Sequence, residues 1–226
     1  MTIGVRQVTW RPCYRIIPSR FPPVNLFERV AAPEDWDAII EVESMTNPRL
    51  RDETGDVSLV PVTERISGPG TSIIMAAFTH LNPAGSRFTD GTYGVFYTTP
   101  DLETAIAETK HHRERFMRDT QEEPFHLDMR VYLVDLDAEL HDIRGQQKSQ
   151  ALVYHPENYA TAQNLARTLR AENSNGIVYS SVRRDGGECA AVFRPRVLSN
   201  CRQERHLSYV WDGARIRDVY EKRSLE

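Results

Sequence analysis

The stretch from Gly85 to Phe116 reads GSRFTDGTYGVFYTTPDLETAIAETKHHRERF, and it decides how the chain can fold. Glycines divide its first part, where the backbone can turn sharply or approach a ligand closely. Gly94 to Thr99 predicts a short buried strand. Asp101 is a good N-cap, and the residues after it favour a helix to about Phe116 or Arg118. The stretch therefore places three polar side chains on a loop, a strand and a helix: Arg87, Tyr97 and Glu108.

Glu108 occupies an informative position on the predicted helix. At about 100° per residue it lies within roughly 60° of Ala105, on the flank of the apolar face. A carboxylate there leans toward the core or a cleft. The alternative is a flanking glutamate that pairs with Arg115 or Lys110, and the helix alone does not decide between the two.

The composition is that of an ordinary globular protein. The 226 residues are 40% hydrophobic and 27% charged, enough for one domain with a real core. The net charge of −4 gives no reason to expect nucleic acid or an anionic membrane as partner. The N-terminus lacks an apolar signal region and no run is long enough to span a membrane, so we expect a cytoplasmic protein. The sequence leaves open whether it forms a homo-oligomer.

The rest of the chain predicts further strands and helices. Prolines between residues 9 and 30 favour an extended segment, with Tyr14–Ile17 as its one strand. Other strands are expected at Leu127–Leu136, at Gly176–Ser181 with Glu188–Leu198 as a hairpin, and at His206–Trp211 with Ala214–Tyr220 as a second hairpin. Helices are expected at Glu34–Met45, at Ile73–Phe78 with Thr71 or Ser72 as cap, and at Pro156–Glu172. One α+β domain over residues 1–226 is the simplest interpretation, since no repeat or linker is visible.

Several chemical motifs are absent or incomplete. The chain contains neither of the glycine-rich phosphate-binding fingerprints, so any nucleotide is bound without a Rossmann motif or P-loop. Glu108 with His111, and Glu123 with His126, each have the Glu-x-x-His spacing that supplies half of a di-iron site, but the further inward glutamates on separate helices are missing. Ser181 lacks the G-x-S-x-G elbow of a serine hydrolase. Three distant cysteines give no metal spacing, so we expect reduced packing residues and no metal.

An ordered set of short motifs remains. Gly85-Ser86-Arg87-Phe88 is followed by Gly94 and Tyr97, then by Thr104-Ala105-Ile106-Ala107-Glu108, and finally by Gly176-Ile177-Val178-Tyr179-Ser180-Ser181-Val182-Arg183. In this order the motifs resemble the RES domain, a family named for its arginine, glutamate and serine. The similarity begins at Tyr14-Arg15-Ile16 and ends near Pro195.

The resemblance implies an ADP-ribosyltransferase-like fold, with a mixed, mainly antiparallel split sheet flanked by helices. It also implies a toxin that consumes NAD and is encoded beside an antitoxin with a helix-turn-helix domain. The family's arginine, tyrosine, glutamate and serine fall on Arg87, Tyr97, Glu108 and Ser181. Its early Tyr-Arg pair falls on Tyr14 and Arg15.

The chemistry of NAD suits these residue types. In NAD the nicotinamide ring already carries a positive charge, so it leaves as a neutral molecule and needs no general acid. The ribose cation that develops needs a fixed carboxylate, a role that fits Glu108. Arg87 and Arg15 can grip the pyrophosphate, Tyr97 can stack on a ring, and Ser181 can orient Glu108. Transfer of ADP-ribose to water or phosphate, transfer to a protein side chain, and a non-catalytic binding module all remain open.

Overall fold

A computed structural model describes residues 3–19, 34, 36, 38 and 55–225 of the chain. Most of the helix predicted at Glu34–Met45 lies outside these residues.

A mixed, mainly antiparallel sheet of seven strands forms the centre of the molecule, as the sequence predicts. Its only parallel pairing among the named strands joins β3 to β4. The strands are β1 (Val5–Pro18), β2 (Phe96–Thr98), β3 (Phe125–Asp142), β4 (Gly176–Ser180), β5 (Glu188–Val192), β6 (Leu198–Trp211) and β7 (Ile216–Lys222).

The long strand β3 splits the sheet. β1 runs along one edge of β3 from Met129 to His141. The other edge is shared, because β6 pairs with its first part, up to Leu136, and β4 pairs with its end at His141 and Asp142. The sheet therefore divides along this edge, toward β6-β7 from the first part of β3 and toward β4-β5-β2 from its end.

Among the named elements of the described residues, the helices that flank the sheet are α1 (Thr71–Thr79), α2 (Leu102–Asp119) and α3 (Ala160–Ala171). The start of α2 is fixed by Asp101, whose carboxylate accepts a hydrogen bond from the Thr104 backbone N–H at 2.8 Å. Ala105 is buried on the predicted inner face, but His112 and Phe116 are exposed and Met117 is buried in their place. The buried face thus shifts around α2 along its length. An α-helix has 3.6 residues per turn, so residues spaced four apart gradually leave the face that is buried.

The predicted start of β1 and the predicted cap of α1 were wrong. β1 begins at Val5, well before Tyr14, and includes Pro12. The ladder with β3 shifts register between Trp10 and Cys13, and such an irregularity lets a strand accommodate a residue without an N–H. The cap of α1 is Gly70 in a left-handed conformation (φ 78°), and not Thr71 or Ser72. Thr71 is already helical, and its hydroxyl donates to the Gly68 carbonyl.

Both predicted hairpins are present with different bounds. β4 and β5 pair antiparallel around residues 181–187, and β6 and β7 pair around the Asp212 turn. The expected strand Glu188–Leu198 is interrupted at Pro195, which begins a short 3₁₀ turn because it cannot donate to a ladder. Helix α3 starts at Ala160, later than predicted, after an irregular segment from Val153 to Tyr159.

Within residues 3–19, 34, 36, 38 and 55–225, three apolar clusters form the core. One lies between α1 and the sheet and includes Phe96, and the second lies under α3 and includes Tyr179 and Cys189. The third joins α2 to β6 and includes Ala105 and Tyr209. Because Phe96 and the partly buried Tyr97 belong to different clusters, consecutive side chains of β2 point to opposite faces of the sheet.

Candidate active site

Glu108 lies where α2 crosses the β4–β5 hairpin. Its carboxylate is partly buried, and its Oε1 accepts a hydrogen bond from Ser181 Oγ at 2.7 Å. No ion pair joins Glu108 to Arg115 or Lys110, so the structure does not show Glu108 as a flanking residue that pairs along the helix. Its Oε2 accepts no hydrogen bond from the described residues and is not sealed in the interior. One oxygen is thus fixed while the other is free to meet a ligand.

The turn after β4 fixes Ser181. Its Oγ accepts hydrogen bonds from the backbone N–H groups of Arg183 and Arg184, both at 3.0 Å, and its own N–H donates to the Gly187 carbonyl at 2.8 Å. With two bonds accepted, the hydroxyl proton is directed at Glu108. Gly187 allows this approach, because a Cβ there would lie 2.7 Å from Thr104 Oγ1 on α2.

Cys189 is a second donor to the same oxygen. Its Sγ lies 3.5 Å from Glu108 Oε1, and the side chain is only 2% exposed. Burial raises the pKa of this thiol well above its usual value, and the nearby Glu108 carboxylate raises it further. Cys189 therefore stays protonated and can donate, although thiol hydrogen bonds are weak.

Tyr97 organises the glycine loop. Its hydroxyl lies 2.7 Å from Ser86 Oγ and accepts a hydrogen bond from the Phe88 N–H at 2.9 Å. Burial raises the pKa of Tyr97 well above its ordinary range, so the phenol is neutral. Gln163 on α3 donates to the carbonyls of Ser86 and Thr89, which ties the same loop to the helix. The hydroxyl of Tyr97 is thus a structural anchor.

Arg87 is buried without a carboxylate partner among the described residues. Its Nη1 donates to the carbonyls of Val153 and His155, at 3.0 and 2.9 Å, and its guanidinium lies over the Tyr159 ring, 4.8 Å from the centroid. These contacts orient the group but leave its charge unneutralised, since carbonyls and ring faces carry no net charge. A buried, unneutralised guanidinium favours a bound anion.

A second arginine borders the same region. Arg183 follows Ser181 by two residues, its side chain is 15% exposed, and it donates to the Pro156 carbonyl. Its nearest carboxylate is the exposed Glu157, at 3.5 Å, which also lies 3.8 Å from His111. Burial lowers the pKa of His111 and Arg183 lowers it further, so this histidine is neutral near pH 7.

Tyr179 lies at the centre of the group. Its ring meets Phe88 edge to face with centroids 4.9 Å apart. Its pKa is raised well above its usual value, first by burial and then by Cys189 and Glu108, while Arg87 lowers it. The Tyr179 hydroxyl is therefore close enough to interact electrostatically with both Glu108 and Arg87.

The structure brings four of the predicted site residues into one region: Arg87, Tyr97, Glu108 and Ser181. It places the other two elsewhere. Arg15 lies over the Phe96 ring at 4.3 Å and donates to the Tyr97 carbonyl, on the face of β2 opposite to the Tyr97 ring. Tyr14 packs beside the cluster between α2 and β6. Within the described chain, no hydrogen bond joins either residue to Glu108 or Arg87.

Sequence reasoning missed two residues of this region. Arg183 was visible as the end of the last motif, but nothing in the sequence indicated which way it points. Cys189 had no signal, because an isolated cysteine in a strand is usually a packing residue. All three cysteines are buried and form no disulfide, and Cys189 contacts Glu108.

Other kinds of site have less support. In the described ranges, no three His, Cys, Asp or Glu side chains are grouped so as to hold a metal ion. No helix among these residues has the length and apolar character needed to cross a membrane.

Comparisons with known proteins show what the chain resembles. A family model described as "RES domain" matches residues 63–212. The uncharacterized protein y4oC of Sinorhizobium fredii is 33% identical over 209 residues, which cover 92% of this chain and 86% of that protein. Among solved structures, a chain of the M. tuberculosis MbcT-MbcA toxin-antitoxin complex is similar at 9% identity, with a TM-score of 0.48, covering 93% of this chain and 88% of that one.

Proposed function

Because the chain belongs to the RES domain family, we propose that it is the toxin of a toxin-antitoxin pair and that it degrades NAD in the cytoplasm. The reaction is cleavage of the bond between ribose C1′ and the nicotinamide nitrogen. ADP-ribose passes to water or to inorganic phosphate.

The hydrogen bonding of the Glu108 carboxylate is the observation on which the proposal rests. One of its oxygens is held by Ser181 and Cys189, and the other is free. A carboxylate fixed in this way needs little reorganisation when positive charge develops beside it, and such preorganised electrostatics can supply several kcal/mol of transition-state stabilisation.

The reaction is balanced without a metal or a general acid. The electron pair of the C1′–N bond leaves with nicotinamide, which departs neutral, and the ribose becomes an oxocarbenium-like cation. The free oxygen of Glu108 faces this cation or accepts a hydrogen bond from a ribose hydroxyl. Water then bonds to C1′ through its oxygen and loses a proton to solvent, or an unprotonated phosphate oxygen bonds there and no proton is lost.

We propose that two arginines bind the pyrophosphate of NAD. Arg87 has donors beyond Nη1 and no carboxylate among the described residues to neutralise it, so it can form charge-assisted hydrogen bonds to a phosphate oxygen. Arg183 is placed to contribute a second set from the turn after β4. We propose that Tyr97 shapes the loop and stacks on a ring of NAD. Substrate binding by Arg15 and Tyr14 stays a prediction, since neither forms a hydrogen bond with Glu108 or Arg87 in the described chain.

The proposed partner is an antitoxin that carries a helix-turn-helix domain and blocks the cleft beside Glu108. A free enzyme with an open cleft would otherwise consume an abundant metabolite continuously. A complex in which Glu108 remains open to NAD would rule out this mode of inhibition.

The decisive experiment incubates the purified full chain with NAD alone, with NAD and phosphate, and with NAD and a cell extract. Release of nicotinamide without a protein acceptor supports the proposal, and the phosphate arm identifies the acceptor. Turnover seen only with a labelled protein target would instead indicate a protein ADP-ribosyltransferase. No turnover in any arm would favour a binding module.

Two variants locate the chemistry. Glu108→Gln keeps the size of the side chain and removes its charge, and we expect nicotinamide release to fall by at least about a hundredfold. Glu103→Gln, an exposed residue in the first turn of the same helix, is the matched control and should retain activity. Equal activity of the two variants would contradict the proposed role of Glu108.

A further inference from the structure

Glu157 is a charged residue beside the candidate active site that has no part in the proposed reaction. It belongs to the irregular segment from Val153 to Tyr159. Its Oε1 lies 3.5 Å from Arg183 Nη2 and 3.8 Å from His111 Nε2. His111 follows Glu108 by three residues on α2, which places the two on one side of the helix. The Glu157 carboxylate therefore borders the same region as the Glu108 carboxylate.

The backbone of Glu157 is fixed, whereas its side chain is free to turn. The Glu157 N–H donates to His155 Nδ1 at 3.1 Å. The side chain is 57% exposed, and its third charged neighbour, Arg115 Nη1, is 3.9 Å away. Distances of 3.5 Å and more exceed the roughly 2.7–2.9 Å of a charge-assisted hydrogen bond. The carboxylate can therefore turn into solvent without breaking a strong contact.

Glu157 is the counter-ion of Arg183. No other carboxylate among the described residues forms an ion pair with this arginine. Arg183 Nη2 donates to the Pro156 carbonyl, while Nε and Nη1 donate to no described group and are not sealed in the interior. These two nitrogens are open to a ligand that arrives from solvent, so no cavity has to form.

A phosphate oxygen of NAD and the Glu157 carboxylate are alternative partners for Arg183. Both are anions, so they repel each other when both lie against the same guanidinium. A phosphate can form short charge-assisted hydrogen bonds to Nε and Nη1, whereas the contact from Glu157 is long. The phosphate should therefore displace Glu157, but the lost ion pair reduces the net gain from binding.

We infer that Glu157 is an intramolecular competitor for Arg183, which weakens the binding of NAD until its carboxylate turns away. The inference rests on the proposed function, since that function assigns the pyrophosphate of NAD to Arg183. Ion pairs with an exposed partner are weak, so the competition should cost about two- to fivefold in affinity. Glu157 thus sets affinity and takes no part in bond cleavage.

Calorimetric titration of the full chain with ADP-ribose tests the inference, because this probe carries the pyrophosphate and lacks the bond that is cleaved. Glu157→Gln should bind ADP-ribose about two- to fivefold more tightly than wild type. Asp185→Asn is the matched control, since it removes the same charge from an exposed residue close to Arg183 and should leave the affinity unchanged. Unchanged or weaker binding by Glu157→Gln, or an equal gain in the control, would overturn the inference.

A double-variant cycle tests whether the effect acts through Arg183. Arg183→Gln alone should weaken ADP-ribose binding by about tenfold, because it removes hydrogen bonds from a charged donor. Adding Glu157→Gln to it should give no gain, since the competition has lost its object. The full gain in the double variant would show general repulsion and contradict the inference. Arg183→Met replaces Arg183→Gln in the cycle if the latter does not fold, as judged by thermal melting.

Nicotinamide release separates this inference from the proposed function. Wild type that binds ADP-ribose but releases no nicotinamide from NAD would disprove the function, while the comparison with Glu157→Gln would still decide the inference. Wild type that releases nicotinamide, with no gain of affinity in Glu157→Gln, would disprove the inference alone. Absence of ADP-ribose binding in both proteins would also overturn it.

Discussion

At the level of single residues, the two oxygens of the Glu108 carboxylate differ in their surroundings. Oε1 accepts from Ser181 and Cys189, and Oε2 accepts from no described residue. The Ser181 bond is short at 2.7 Å and involves a charged acceptor, whereas the Cys189 contact is longer and weaker. The two donors should therefore contribute unequally to the position of Glu108.

Ser181→Ala should lower kcat for nicotinamide release by about ten- to a hundredfold, since a hydrogen bond to a charged group contributes about 1.5–3 kcal/mol. KM should change less, because Ser181 acts by positioning Glu108. Steady-state kinetics of the two constants make the measurement. Ser180→Ala is the matched control, since this neighbouring hydroxyl accepts from the Gly145 N–H and does not touch Glu108. A loss confined to KM would indicate that Ser181 binds substrate instead.

Cys189→Ala should lower kcat by about two- to fivefold, in keeping with a weak hydrogen bond. The raised pKa of the thiol adds an expectation: iodoacetamide should label Cys189 only slowly in the folded protein at mildly alkaline pH. Mass spectrometry of labelled peptides measures the rate.

Cys13→Ala is the control for Cys189, because Cys13 is also buried and its Sγ donates to the Val134 carbonyl, away from the site. Both variants remove a buried sulfur and should lose comparable stability. Equal loss of kcat in the two would show that the Cys189 effect is general destabilisation.

At the level of elements, β2 depends on a close approach to α1. The strand has only three residues, and its entry at Gly94 presses against the helix. A Cβ at Gly94 would lie 2.3 Å from the Ala77 carbonyl oxygen and from the Phe78 Cα. These are backbone atoms, which cannot swing away as a side chain can. The position of Tyr97, three residues later, is therefore set by how closely the backbone packs on α1.

Gly94→Ala should destabilise the fold by about 1–3 kcal/mol through overpacking, and thermal or urea unfolding measures this loss. Gly4→Ala is the comparison, because a Cβ at Gly4 meets no atom within 4 Å. An unchanged melting temperature for Gly94→Ala would mean that β2 and α1 separate more easily than their packing indicates.

At the scale of the whole molecule, the sheet assembles the site from distant parts of the chain. Glu108 is separated from Ser181 by 73 residues and from Cys189 by 81. Arg87 reaches across 66 and 68 residues to the carbonyls of Val153 and His155. A ligand that contacts these groups together should bind the folded state and not the unfolded chain.

NAD should therefore raise the melting temperature of Glu108→Gln, which binds NAD without cleaving it. Ligand at a hundred times its Kd adds about 2.7 kcal/mol, which corresponds to roughly 5–10 °C for a protein of this size. Differential scanning calorimetry measures the shift. Adding Arg87→Ala to this variant should abolish it, whereas adding Arg202→Ala, an exposed arginine on β6, should not. Equal shifts in both double variants would contradict a role of Arg87 in binding.

The sequence by itself determined the parts of this protein that local patterns control. The capped helix with Glu108 and the two hairpins follow from periodicity, turn residues and caps, which act over a few residues. The mixed sheet was implied by the resemblance that the ordered motifs carry. The family also follows from the ordered motifs, and the match over residues 63–212 confirms it.

Only the tertiary structure decided which side chains meet. It turned Cys189 toward Glu108 and Arg183 toward Pro156, it placed Arg15 on the Phe96 face of β2, and it brought Glu157 beside Arg183 and His111. Each outcome depends on strand register and on contacts between residues far apart in the chain. A shift of one residue in register moves a side chain to the opposite face of a sheet, and no local pattern fixes that choice for a polar residue.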